Sequence, residues 1–234
     1  MSLPSFLGAP LLAASTEPGL QLAVNGGGSS AVKLFLFLTA LSFASALLIS
    51  MTAFTRVVIV LAFVRQALGT PQLPPTQVLM GLALAITGFV MAPVADRVYK
   101  GALAPYLEEK MEAGEALALA TEPVRDFMLR QTRPDDLGLF FDISGAERPS
   151  RQDAIPMTIA VPAFMVSELT TAFRMGLFVF IPLVLMDLLV SSILMALGMQ
   201  MVPPTLVALP LKVGVFLLAD GWHLLVSSLV RSFH

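Results

Sequence analysis

Residues 67–76 read ALGTPQLPPT, and residues 196–205 read ALGMQMVPPT. Both fit ALGxxxxPPT, and each copy lies between two apolar blocks. The pattern has a direct physical reading. Gly69 and Gly198 can take the left-handed conformation that ends a helix. The variable residues then make the turn. Pro75 and Pro204 suit the first turn of the next helix, where a missing N–H costs nothing. Pro74 and Pro203 hold their neighbours extended and keep the incoming helix from running on. Each copy therefore predicts a tight helix–turn–helix hairpin.

Working outward from the turns, the apolar blocks come in pairs. The first runs from Leu34 to Thr55 without a charge and continues past Arg56 to Val64; the second is Val78 to Ala95. The third runs from Ile155 to Leu197, interrupted by Glu168, Arg174 and Asp187, and is long enough to kink or break near Pro182. The fourth, Thr205 to Val230, is interrupted by Lys212 and Asp220. A run of ~20 apolar residues crosses a bilayer core as a helix, so the fold class is all-α and polytopic. Composition agrees. The 234 residues are 56% hydrophobic and 13% charged, against ~25% charged in a typical soluble domain. That excludes a disordered chain, a basic nucleic-acid-binding domain and an ordinary cytosolic enzyme. A net charge of −2 gives no global field for phosphate or anionic lipid. With no cysteine, disulfides, thiolate nucleophiles and Cys-ligated metal sites are out.

Charge is collected in one place. Residues 96–156 hold 8 of the 14 basic and 12 of the 16 acidic side chains. This divides the chain into residues 1–33, a leader and flexible linker; 34–95, the first hairpin; 96–156, a polar helical insert; and 157–234, the second hairpin. The leader contains an apolar stretch and Leu12-Ala13-Ala14, which resembles a cleavage site, but no Lys or Arg precedes Lys33. A cleaved signal and a retained leader both stay open. If every block spans, the two tips fall on one side; Arg56 and Arg65 beside the first tip favour the cytoplasm and put the insert in the periplasm.

In the second block Gly81, Ala85, Gly88 and Ala92 put four small residues on one helix face, which lets a neighbouring backbone approach closely. Six charges interrupt the apolar blocks: Arg56, Glu168, Arg174, Asp187, Lys212 and Asp220. Structural pairing between helices or subunits is favoured over proton relay, because a charge in lipid must find a partner or water. Asp187 lies ~14 residues before the second turn centre and Lys212 ~11 after, an offset of ~6 Å at the helical rise, which suggests one such pair.

The insert reads as two helical segments, over 107–120 and from Pro123 onward, followed by a loop from Arg133 to Asp153 with at most a short helix. Catalytic signatures are missing. Gly26-Gly27-Gly28 lacks the lysine of a P-loop, there is no HExxH, and Ser167-Glu168 has no histidine suggesting a triad. An aspartate dyad of Asp187 and Asp220 is the remaining, weak enzymatic reading. No enzyme activity and no cofactor are expected.

Longer matches carry a family resemblance. MTAFTRVVIVLAFVRQALGTPQLPPTQVLMGLALAITGFVMAPV (51–94), PAFMVSELTTAFRMGLFVFIP (162–182), FMLRQTRPDDLGLF (127–140) and LGMQMVPPTLVALPLKVGVFLLADGWHLLVSSL (197–229) resemble the FliP/SctR family of type III secretion export-gate proteins. Phe54-Thr55-Arg56 together with Arg65 to Thr70 looks like its flagellar branch. The resemblance implies a non-enzymatic, channel-forming core subunit that passes unfolded flagellar subunits across the bacterial inner membrane, within the basal body. It implies a pentameric ring, FliQ-like and FliR-like partners, other export-apparatus proteins, membrane and no nucleic acid. It further implies hairpins stacked in a helical cone, packed mostly against other subunits rather than crossing lipid simply. A methionine-rich gasket loop of the family falls on Met199, Gln200, Met201 and Val202, where Gln200 interrupts the methionine run. The alternative is a secondary transporter of a small solute, suggested by the repeat and the intramembrane charges.

Overall fold

The computed structural model describes residues 28–70, 72–149 and 155–233. All but residues 28–33 of the leader, and with them the cleavage-site reading, lie outside the described residues. The chain divides into two compact units, Met1–Ala46 and Leu47–His234. Helix α1, Gly28–Ser50, accounts for the described part of the first unit and runs into the second, so residues 28–30 of the expected linker are helical. Every described regular element is helical.

The first apolar block is not one helix. It breaks at 51–53, and α2 begins at Phe54 and ends at Ala67. Thr52 explains the break: its hydroxyl donates to the Ile49 carbonyl at 3.2 Å and accepts the Phe54 N–H at 3.4 Å, a local alternative to helical bonding. Helix α2 is the centre of the second unit. Ala53, Val57, Val60, Leu61 and Val64 are fully buried. Its β-branched residues are indifferent helix formers, so packing rather than propensity holds it.

Around α2 lie α3, Thr76–Val98, and α7, Met157–Ala196. Close approach of α2 and α7 depends on Gly176, where a Cβ would stand 2.6 Å from Phe63 Cγ. The 40-residue α7 runs unbroken through Pro162 and Pro182. A proline inside a helix forfeits one backbone bond, a loss that apolar helices commonly tolerate. At ~1.5 Å per residue α7 is ~60 Å long, twice a ~30 Å hydrocarbon core.

The polar insert is helical too. A π-helical segment, Tyr99–Leu103, follows α3 and leads into the one-turn α4, Ala104–Leu107. Helix α5, Ala113–Gln131, carries Pro123 inside it, so the two expected segments are one. Packing on both sides of the proline accounts for this: Ala113, Ala116 and Ala120 face the π-helical segment, and Val124, Phe127 and Met128 enter the main core. Helix α6, Pro134–Ser144, occupies much of the expected loop and ends at Gly145 with φ 65°. The last elements are α8, Pro204–Leu218, and α9, Gly221–Arg231, bent by 62°. Asp220, in the left-handed region at φ 51°, makes the bend.

By length and apolarity two helical stretches could cross a membrane, Thr76–Leu107 and Met157–Ala196, or three if the bent α8–α9 pair counts as one span.

Candidate functional site

Both ALGxxxxPPT turns close their helices with a left-handed glycine. Gly69 has φ 75° and Gly198 φ 74°. Gly69 N–H donates to the Gln66 carbonyl at 3.1 Å, and Gly198 N–H to that of Met195 at 3.0 Å. In the second turn Met199 N–H also donates to the Leu194 carbonyl at 2.9 Å, completing the paired closure of a Schellman motif. Pro204 is the first residue of α8, with Pro203 extended before it at ψ 120°. Pro75 stands one position earlier than expected, at the N-cap of α3, and the Leu73–Pro74 bond is cis.

The second tip is bare. Met201 is 95% exposed and Met199 45%, and Gln200 between them is also exposed. Val202 folds back onto Val190, Leu194 and Ala208. The tip thus has a fixed base and free methionine side chains, a soft apolar surface that can reshape around what it meets.

The six charges of the apolar blocks divide three and three. Arg56 and Glu168 are both buried and pair in a fork, with Nε donating to Oε2 at 2.8 Å and Nη2 to Oε1. Arg56 Nη1 also donates to the carbonyl and hydroxyl of Ser232, both at 2.9 Å, and its guanidinium lies 3.9 Å from the centre of the Phe233 ring. Lys212 is buried on α8; its Nζ sits 2.5 Å from Asp187 Oδ2 and 3.0 Å from the Ala67 carbonyl. That second bond ties the second hairpin to the end of α2. The other three are not buried within this chain. Asp187 is half-exposed, and Arg174 and Asp220 are exposed. Among the described residues Asp220 pairs with His223, at 3.8 Å. Among the described residues Asp187 pairs with Lys212 and Asp220 with His223, not with each other.

These elements match a known family along most of the chain. The FliP family profile covers residues 37–229.

This chain belongs to the FliP family.

It is 49% identical over 205 residues to the flagellar biosynthetic protein FliP of Bacillus subtilis (strain 168), covering 88% of this chain and 93% of that one. It is equally similar, 49% over 221 residues, to the flagellar biosynthetic protein FliP of Pectobacterium carotovorum subsp. carotovorum, covering 93% and 86%. The protein of that name from Aquifex aeolicus (strain VF5) is 43% identical over 222 residues, covering 94% and 93%.

In this FliP-family chain the small-residue face of α3 points away from the core. Gly81, Ala85, Gly88 and Ala92 are all exposed, while Leu79, Ala83, Ile86, Val90 and Val94 face inward. A Cβ built on Gly81 or Gly88 would meet nothing within 4 Å.

A second buried polar cluster went unread in the sequence. Arg133 pairs with Asp136 through two bonds, at 2.8 and 2.9 Å, and reaches Thr170 at 3.3 Å. Ser167 donates to Asp136 Oδ2 at 2.5 Å and accepts the Arg133 N–H at 2.9 Å. The bonds from Arg133 hold the Asp136 carboxyl below its usual range, with Ser167 helping and burial opposing. The same pairing raises Arg133. The cluster pins the start of α6 to α7. A local signal existed: RPDD places Asp136 three residues after Arg133, in a helix first turn opened by proline. Among the described residues no three His, Asp or Glu side chains converge as metal ligands would.

Proposed function

We propose that this chain is a channel-forming core subunit of the flagellar type III protein export gate. It passes unfolded flagellar subunits across the bacterial inner membrane, within the basal body, and catalyses no reaction. It acts as a homo-oligomer, a pentameric ring, joined by FliQ-like and FliR-like subunits and other export-apparatus proteins.

The observation that carries this reading, beside family membership, is the bareness of the second hairpin. Leu185, Leu188, Leu189 and Ile193 on α7, and Leu206, Leu211 and Leu217 on α8, are exposed. An apolar face of that extent on one chain marks a surface that meets other chains or lipid. Because α7 is about twice as long as a ~30 Å hydrocarbon core, lipid covers only part of it, and protein is the natural cover for the rest. The two methionines at the tip then suit a seal around a central channel: flexible and apolar, they close on one another and yield to varied cargo. The buried charges support a structural role, since Arg56 with Glu168 and Lys212 with Asp187 neutralise each other inside the chain.

The test is the mass of the particle. The full-length protein, extracted with its partners in a gentle detergent and weighed by native mass spectrometry, is expected in a large hetero-oligomer containing several copies of this chain. A stable monomer or dimer would contradict the proposal and favour a solute transporter.

A further inference from the structure

A cavity of about 960 Å³ opens between α3, α5 and residues 232–233. Val90, Val94, Phe127 and Phe233 line it beside Gln131 and Ser232, and the partly exposed Arg97 and Arg130 stand at its edge. Arg130 has no hydrogen-bond or ion-pair partner among the described residues, and Arg97 has only a loose contact with Asp126, at 3.7 Å between half-exposed side chains. Asp96, also on the rim, is neutralised by Lys100 at 2.8 Å. The rim therefore offers two guanidinium groups with unused donors, and guanidinium binds phosphate oxygens in a fork.

Its position matters as much as its charge. The charge-free stretch of α3 ends at Ala95, so with α3 in lipid the rim would stand at the headgroup layer. Below it Val78, Leu82, Phe89 and Pro93 continue along one side of α3, and Val78 and Phe89 are more than half exposed. That track rises ~22 Å, longer than one leaflet of a ~30 Å core.

We propose that this cavity holds the headgroup of one phospholipid, its phosphodiester on Arg97 and Arg130 and its acyl chains along α3. The chain's near-neutral charge supplies no general pull on anionic lipid, so the attraction is local to these two side chains. The inference needs α3 to meet lipid and is independent of what passes through the assembly.

Native mass spectrometry of the full-length protein, extracted with its partners, is expected to retain one phospholipid per copy of this chain. Arg97→Gln with Arg130→Gln should lower that retention about tenfold, and millimolar inorganic phosphate should leave it unchanged. Equal retention by the double variant would overturn the proposal, and so would displacement by inorganic phosphate, which would indicate a site for free anions. Should the variant fail to assemble, the unmodified protein decides. A diazirine-bearing phosphatidylethanolamine in vesicles should label residues 89–97 and 127–131. Labelling confined to other segments, or a neighbouring protein chain cross-linked over Arg130, would contradict it.

Discussion

The two hairpins share a turn sequence and differ in what surrounds it. In the first, α2 is buried on nearly every side, and its tip is polar: Thr70 Oγ1 donates to the Leu73 carbonyl at 2.5 Å, and Arg65 donates to Thr76 Oγ1 at 2.9 Å. In the second, α7 and α8 are mostly bare beyond the core, and the tip carries exposed methionines. The turn chemistry of Gly, Pro and Pro is thus a local device that works in either setting. What each hairpin does is decided by the side chains along its helices. Helix α2 builds the core together with the first half of α7, and the far end of the second hairpin is left for other molecules. Lys212, reaching from α8 to the Ala67 carbonyl, joins them.

That contrast can be broken from the buried side first. Arg56→Ala leaves Glu168 charged and unpaired inside the core, a loss of about 3–5 kcal/mol. Unfolding of the detergent-solubilised protein should register it. Arg56→Met combined with Glu168→Leu should recover much of the loss, because two apolar groups leave no orphaned charge; no recovery would mean that the pair does more than satisfy itself. Gly176→Ala drives a methyl group into Phe63 and should cost about 1–3 kcal/mol, as overpacking does. A neutral result would show that the α2–α7 contact is softer than described.

The joint between the hairpins is next. Lys212→Met strands the half-exposed Asp187 and removes the bond to Ala67, at about 1–3 kcal/mol. Exchanging the two residues, Asp187→Lys with Lys212→Asp, should restore part of the stability lost by either reversal alone. If the exchange is as poor as the single reversals, the ion pair is not what holds the joint.

A smaller effect concerns pH. Asp136 titrates in the folded chain below its ordinary value of 3.8, so its contribution is fully present above that value. The contribution is lost as pH falls through the lower, folded pKa. Asp136→Asn should therefore lower stability at neutral pH and flatten the acid limb of the stability curve. An unchanged acid limb would show that the α6–α7 clamp does not depend on this carboxylate.

Features set by neighbours in the chain are legible in the sequence. The left-handed glycines follow from the ten-residue ALGxxxxPPT pattern, and the Asp187–Lys212 pair follows from helical register across one short turn. The break at Thr52 is not legible there, because a single hydroxyl decides it within a run of apolar residues. Pro123 looks like the start of a new segment and Pro182 like a kink, but packing on both sides carries the helices through them. The partners of Arg56 were out of reach for a different reason. Glu168 is 112 residues away and Ser232 176, and no local pattern encodes which buried carboxylate meets which arginine.

At the tip of the second hairpin the expected stability change is the smallest, since exposed side chains contribute within about 0.5 kcal/mol. The functional change there should be large. The most direct measurement is small-ion conductance across membranes containing the intact assembly, comparing the natural chain with Met199→Ala combined with Met201→Ala. The account predicts that the variant assembles to the same mass and leaks ions that the natural chain holds back. Equal conductance in an intact assembly would contradict the claim that these methionines seal a channel.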